Sequence, residues 1–239
     1  MRTQSLAVLA ALIALAVAPV AARAVEPVPP KPAAAKQRSV AIVLYDAVEI
    51  LDFAGPTQVF AAAGNGIDDQ EAFKVYTVGK ANSPALSHGV LKIVPTYSFD
   101  DAPLPDILVL PGGNSNVVIE DKKAMDWISR ATGKAEITMS VCTGAFILGK
   151  LGLLKGKTVT TWYGAIDRLR KAVPDANVQE GRRFVDSGRI ITTAGVSAGI
   201  DGALHVVARL HGRGAADETA RYLEYRWTPE PYLIAGYKR

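Results

Sequence analysis

The chain has 239 residues with a formal net charge of +4, and 49% of its residues are hydrophobic against 21% charged. This balance is typical of a globular protein and excludes a disordered or fibrous one, while the small charge does not require nucleic acid as a partner. The single cysteine excludes an internal disulfide and a cysteine-rich zinc site.

Residues 1–24 have the pattern of a secretory signal peptide. Arg2 gives the positive start, residues 6–20 are almost entirely apolar, and the Ala-Arg-Ala sequence ending at Ala24 provides a small-x-small cleavage site. The apolar run is shorter than the roughly 20 residues that span a bilayer. We therefore expect cleavage after Ala24, a periplasmic or secreted product, and no membrane association after cleavage.

The folded domain is expected to follow an extended leader. Residues 25–38 are rich in Pro and Ala and have almost no hydrophobic periodicity. The stretch 39–239 has about 200 residues, which is ample for one well-buried core. The sequence therefore predicts one α/β domain over 39–239.

Within this domain, short apolar runs alternate with amphipathic stretches. Strands are predicted at 39–46, 73–79, 106–113, 136–142 and 157–162, and hairpins at 86–99 and 182–195. Helices are predicted at 50–64, 124–132, 143–154, 163–173, 197–212 and 217–227. Strands separated by helices of this length predict a mostly parallel sheet covered on both faces, with its site at the carboxyl ends of the strands.

Cys142 lies at one of these strand ends. A buried strand runs into it, a helix follows at once, and Gly144 and Ala145 are small enough for a sharp turn. This is the pattern of a nucleophile elbow, and a helix N-terminus favours the thiolate. We expect a partly exposed, activated thiol. The alternative is a buried cysteine that acts only as a small hydrophobic residue.

Two other strand ends could complete such a site. Gly112, Gly113 and Asn114 follow a buried strand, where backbone N–H groups can receive an oxyanion, although a Gly-Gly pair is equally typical of a simple tight turn. Asp52 interrupts an apolar stretch near the first helix, where it either caps that helix or exchanges a proton with Cys142.

Four blocks taken together carry a family resemblance: residues 49–56 (EILDFAGP), 106–113 (DILVLPGG), 141–145 (VCTGA) and 193–201 (TAGVSAGID). The chain resembles the ThiJ/PfpI superfamily, of the type-1 glutamine amidotransferase-like, flavodoxin-like fold. It is most similar to the isonitrile hydratase-like branch, which also supplies the N-terminal domains of some AraC-type regulators.

The resemblance implies a role for each candidate residue. Cys142 would be the nucleophile, Asp52 its acidic partner and Thr143 a neighbouring catalytic residue. The N–H groups of Gly113 and Thr143 would form an oxyanion pocket, lined further by Gly112 and Asn114. No metal or organic cofactor is implied, and a homodimer is expected because relatives commonly pair.

One departure from the family pattern concerns a histidine. Many relatives have a histidine after the equivalent of Thr161, and this chain has Trp162. A Cys–His pair of the protease type is therefore disfavoured, whereas a Cys–Asp pair stays possible. We interpret His88 as a solvated loop residue. We interpret His205 and His211 as structural residues, because their spacing does not suit a zinc-binding helix.

Three functions follow as expectations. The first is a cysteine-dependent hydratase or hydrolase acting on a small electrophile, which would give an N-substituted formamide from an isonitrile. The second is a non-enzymatic binding or redox-sensing domain for a small molecule in the periplasm. The third is a glyoxalase- or deglycase-like activity.

Overall fold

Short apolar runs form the central sheet, and the amphipathic stretches between them form the helices. The structure is a computed structural model, and it describes residues 37–64, 72–81 and 83–228. The strands are β1 (Arg38–Val43), β2 (Phe73–Gly79), β3 (Ala85–Ser87), β4 (Leu91–Ile93), β5 (Tyr97–Ser98), β6 (Ile107–Leu110), β7 (Ile137–Val141), β8 (Thr158–Val159), β9 (Asn177–Val178), β10 (Phe184–Ser187) and β11 (Ile190–Thr193). The helices are α1 (Ile50–Ala62), α2 (Asn116–Ile119), α3 (Lys122–Lys134), α4 (Ala145–Lys150), α5 (Ile166–Ala172), α6 (Ala198–His211) and α7 (Arg213–Tyr222).

The main sheet has seven strands in the order β10-β11-β7-β6-β1-β2-β5. All neighbours pair in parallel except β10 and β11, which form an antiparallel hairpin at one edge. Every residue of β6 and β7 is buried, as expected for central parallel strands with helices on both faces. The predicted three-layer α/β/α sandwich with a mostly parallel sheet is confirmed.

The order of the strands positions the functional residues. Because β1, β6, β7 and β11 are adjacent and parallel, their carboxyl ends meet at one edge of the sheet. The segments that leave this edge begin at Leu44, Pro111, Cys142 and Ala194. These segments carry the candidate site.

Several predicted elements differ from those in the structure. The predicted hairpin at 86–99 is a separate two-stranded sheet of β3 and β4, and Tyr97 joins the main sheet beside Val78. The predicted strand at 157–162 is reduced to β8, because the N–H of Thr160 donates to the hydroxyl of Thr192 (2.8 Å) and the chain leaves the ladder there. Helix α2 and strand β9 were not predicted.

The predicted helix ends also shift. The stretch 143–154 begins as a 3₁₀ turn, Cys142–Gly144, and α4 ends at Lys150. The stretch 217–227 corresponds to α7, which begins earlier and ends earlier, before Glu224 at φ +50°. Arg38, expected in the leader, is the first residue of β1.

The predicted signal peptide and residues 25–36 of the predicted leader lie outside the described residues, and so does 229–239. All described residues belong to one unit, Ala35–Arg239. In that part of the chain, helices with enough length and hydrophobicity to cross a bilayer are absent.

Candidate active site

Cys142 occupies a sharp turn between β7 and α4. Its φ is +56°, which is rare for a residue with a side chain. Its N–H donates to the carbonyl of Ala194 (3.0 Å), and its own carbonyl accepts from the hydroxyl of Thr161 (2.6 Å). These two hydrogen bonds to neighbouring segments hold the residue in its strained conformation.

Glycines allow a neighbouring segment of the same chain to approach this turn. A Cβ at Gly112 would lie 2.6 Å from the backbone nitrogen of Thr143 and 2.7 Å from the Cβ of Cys142. A Cβ at Gly144 would lie 2.0 Å from the carbonyl oxygen of Leu110. Gly112, the first glycine of the pair after β6, is thus required for close contact with the elbow, so the pair is more than a simple turn.

Asp52 is fully buried beside the elbow. It lies in the first turn of α1, but Glu49 is the N-cap residue. The Oδ2 atom of Asp52 accepts the N–H of Gly112 and its Oδ1 accepts the N–H of Val196, both at 2.9 Å. Asp52 therefore does not cap its own helix; its carboxyl joins the segments that follow β6 and β11.

The carboxyl of Asp52 and the thiol of Cys142 form one electrostatic unit. The pKa of Asp52 is raised to about 7, mainly by burial and also by the negative charge of Glu49. Hydrogen bonds from the N–H groups of Gly112 and Val196 and from the thiol oppose part of this rise. Burial also raises the pKa of Cys142, and so do the charge of Asp52 and the hydrogen bond between the two groups. The thiol is therefore neutral at pH 7.

This result corrects the expected exposure and ionisation of Cys142. The side chain is buried, with 7% of the residue exposed. Hydrogen bonds from the N–H and the side chain of Thr143 do favour the thiolate, but burial outweighs them. The sulfur ionises more readily only when Asp52 carries a proton, because the opposing charge is then absent.

Thr143 links the elbow to the glycine turn. Its hydroxyl accepts the N–H of Gly113 and donates to the carbonyl of Gly113, both at 2.9 Å. The N–H of Gly113, expected to receive an oxyanion, is therefore occupied by a hydroxyl in this state. Asn114 is exposed, and its N–H donates to the carbonyl of Ala47 (3.0 Å).

Two further polar side chains surround the pair and were not predicted. Tyr45 donates from its hydroxyl to the carbonyl of Pro111 (2.8 Å); burial, together with the negative charge of Asp52, raises its pKa. Ser115 donates to the carbonyl of Thr143 (2.9 Å) and is buried. The position of Tyr45 at the end of β1 was the one sequence signal for it.

The histidines lie in other environments. His88, half exposed at the β3–β4 turn, has its Nε2 2.7 Å from the Oε2 of Glu49. His205 contacts Asp186 (2.7 Å), and burial lowers the pKa of His211, which packs against Phe73. Among the described residues, no cluster of three or more His, Cys, Asp or Glu side chains is suited to hold a metal ion.

Trp162 directly follows Thr161, at the position where the family resemblance favours a histidine. Its ring lies in a slot between two glycines, since a Cβ at Gly164 or Gly195 would come within 2.6 Å of it. Tyr163 packs against the ring with a centroid separation of 4.9 Å. An aromatic wall therefore follows Thr161, the residue that holds the carbonyl of Cys142.

Comparison with known proteins gives one consistent family. The model of the DJ-1/PfpI family matches residues 38–209. The isonitrile hydratase of Pseudomonas putida is 33% identical over 200 residues, which are 82% of each chain. The transcriptional regulator GbdR of Pseudomonas aeruginosa is 23% identical over 182 residues, and the match spans 49% of the regulator.

Solved structures agree with this fold. A ThiJ/PfpI family protein from Pseudomonas syringae has a TM-score of 0.72 at 30% identity, covering 84% of this chain and 80% of that one. A DJ-1 superfamily protein from Salmonella typhimurium has a TM-score of 0.69 at 24% identity, covering 80% of this chain and all of that one.

Proposed function

The chain belongs to the DJ-1/PfpI family, and on that premise we propose that it is a cysteine-dependent enzyme that adds water to a small electrophile, as an isonitrile hydratase does. The observation that carries the proposal is the pairing of Cys142, on a nucleophile elbow, with the buried carboxyl of Asp52. The 33% identity to isonitrile hydratase over most of both chains supports the substrate class.

The pair can supply both the nucleophile and the proton that this reaction needs. The sulfur of Cys142 bonds to the terminal carbon of the isonitrile, and the thiol proton, passed through Asp52, moves to the same carbon. The result is a thioimidate. Asp52 suits this role because a pKa near 7 allows it to accept and return a proton at neutral pH.

Water then completes the cycle. A water molecule adds its oxygen to the thioimidate carbon while the nitrogen gains a proton. The carbon–sulfur bond breaks, the hydroxyl proton returns to the sulfur, and an N-substituted formamide is released. One water molecule is consumed for each isonitrile, and Cys142 and Asp52 return to their starting states.

Turnover by the purified protein tests this proposal. Isonitriles, dicarbonyls and peptides are each incubated with the protein, and products are identified by mass spectrometry. We expect formamides from isonitriles, no turnover by Cys142→Ser, and a rate about 10² to 10⁴ lower for Asp52→Asn. Circular dichroism of both variants checks that they are folded.

A second function has one observation in its favour. A neutral, 7% exposed thiol suits a domain that encloses a small molecule without reacting with it. It suits an oxidant sensor less, because sensor thiols are exposed and acidic. If no member of the panel turns over while isonitriles still bind in calorimetry, the binding function replaces the enzyme. Turnover of dicarbonyls alone would instead indicate a glyoxalase-like activity.

A further inference from the structure

A buried ion pair lies next to the candidate site and has no part in the chemistry proposed above. The side chains of Arg183 and Asp201 are 11% and 1% exposed. Arg183 donates from Nε to the Oδ2 of Asp201 (2.8 Å), and its Nη2 contacts the same oxygen. The hydroxyl of Tyr225 also donates to that oxygen (3.2 Å), and Arg183 Nη1 donates to the Oγ of Ser197 (3.1 Å).

This cluster holds both ends of a segment that contacts the two reacting residues. The segment is residues 194–197, between β11 and α6. The carbonyl of Arg183 accepts the N–H of Ala194 (2.8 Å), and its guanidinium binds Ser197. Between these two points, the carbonyl of Ala194 accepts the N–H of Cys142, and the N–H of Val196 donates to Asp52.

The segment needs such support because its backbone is strained. Val196 has a φ of +56°, and a β-branched residue in this region is a genuine outlier. Strained conformations of this kind persist only where surrounding contacts over-determine them. The backbone carbonyl of Arg183 supplies the contact before the strained residue. The guanidinium of Arg183, fixed by Asp201 in α6, supplies the contact after it.

We propose that Arg183, with Asp201, is a positioning residue that keeps the N–H of Val196 on the carboxyl of Asp52. The inference rests on the proposed function for the importance of that carboxyl. Without the pair, segment 194–197 relaxes and Asp52 loses one of its two backbone donors. The proton affinity of Asp52 then increases, since a hydrogen bond to the charged form of a carboxyl favours that form.

The ionisable groups around this unit set the direction of the change. Asp52 is faced by Glu49 from the start of α1, by Tyr45 from the end of β1 and by Cys142 from the elbow. Each of these three side chains is neutral or negatively charged, and none of them is substituted in the Arg183 variant. The ion pair itself is faced by Tyr225. Loss of the Val196 donor therefore adds to the effect of Glu49.

The pH dependence of Cys142 alkylation by iodoacetamide measures this effect without any turnover. The chain has a single cysteine, so each labelled molecule reports on this site alone. In the unsubstituted protein we expect the logarithm of the rate to rise with pH and its slope to fall where Asp52 ionises, near pH 7. Asp52→Asn should remove this break and thereby assign it.

Two variants test the proposal. Arg183→Lys keeps a positive charge for Asp201 but loses the forked geometry that reaches Ser197, and Ser197→Ala leaves the ion pair intact. We expect Arg183→Lys to move the break upward by about one pH unit, a tenfold change in proton affinity. Ser197→Ala should move it in the same direction by less.

Arg189→Gln is the matched control. Arg189 lies at the other end of the same hairpin and donates to the carbonyls of Thr132, Gly133 and Ala135. We expect the break to stay in place in this variant. A folded Arg183→Lys protein that breaks at the original pH, or an equal shift in Arg189→Gln, overturns the positioning role. If the break shifts as expected but the unsubstituted protein turns over no isonitrile, only the proposed function is overturned.

Discussion

At the scale of single residues, the site depends on a carboxyl that burial makes hard to ionise. Asp52 is fully buried, and its two oxygens accept hydrogen bonds from two different segments. These donors offset part of the cost of a buried charge but not all of it. The residue therefore holds a proton at pH values where an exposed aspartate has lost it.

The pH dependence of the free energy of unfolding should report the proton bound to Asp52. The pKa of Asp52 is raised on folding to about 7. The stability that the bound proton contributes to the folded protein is therefore complete below the unfolded pKa of about 4 and is lost as pH rises through 7. We expect the free energy of unfolding of the protein, minus that of Asp52→Asn, to fall by about 1.4 kcal/mol per unit between pH 5 and 7. Urea titrations measure it. A difference that stays constant over this range would show that Asp52 is ionised in the folded state.

Gly112 gives a second prediction at this scale. Gly112→Ala places a methyl group within 2.7 Å of Thr143 and Cys142, and the elbow has to move to accept it. We expect a destabilisation of about 1 to 3 kcal/mol, as for an overpacked core, and loss of activity. Gly133→Ala is the control: the added Cβ meets nothing within 4 Å in an exposed part of α3.

The expected result for the control has the opposite sign. Alanine favours a helix over glycine by up to about 1 kcal/mol, and Gly133 lies in the last turn of α3. Gly133→Ala should therefore raise the melting temperature slightly and leave activity unchanged. Thermal unfolding followed by circular dichroism compares the two variants. Equal effects at positions 112 and 133 would contradict the close packing of the elbow.

At the scale of elements, the turn between β7 and α4 stores backbone strain. Cys142 adopts φ +56°, and the left-handed conformation costs a residue with a Cβ about 1 to 2 kcal/mol. We expect Cys142→Gly to be more stable than Cys142→Ala by about 1 kcal/mol, the reverse of the order at Gly133. Chemical denaturation of the two variants measures the difference. If alanine is the more stable residue at 142, the elbow is not strained.

Periodicity predicted the elements that are long or fully buried. The runs that became β1, β2, β6 and β7 and the helices α1, α3 and α6 were identified near their observed bounds. The missed elements, α2 and β9, have four and two residues. Elements this short hold no full hydrophobic period, so only tertiary contacts specify them.

The candidate site was likewise predictable only in part. The elbow at Cys142 could be predicted, because a strand, a small-residue turn and a helix follow one another in the sequence. The two donors to Asp52 could not, because they are backbone N–H groups. One of them belongs to Val196, whose positive φ is not indicated by a β-branched side chain.

At the scale of the whole molecule, export stays a prediction. The Ala-Arg-Ala sequence before Val25 predicts cleavage after Ala24. Intact-mass spectrometry of the protein from its native host should therefore find a chain that begins at Val25, in the periplasm or medium. A chain that keeps Met1 would contradict the prediction.

The homodimer is also still a prediction, based on the family resemblance. Two identical chains pair most often about a twofold axis. Light scattering at micromolar concentration should give about twice the mass of one chain, and a single-chain mass that persists on concentration would exclude the dimer.

The hydrogen bond between Asp52 and Val196 has a consequence for the order in which the protein matures. It joins residues 144 positions apart, and ribosomes deliver the chain from its N-terminus. Asp52 is synthesised early, yet its last partner arrives only when the final strand of the sheet has emerged. A nascent chain that stops before residue 196 can hold Cys142 but not the completed acid beside it. Until the segment after β11 has been synthesised and folded, the carboxyl of Asp52 therefore lacks one of its two backbone donors.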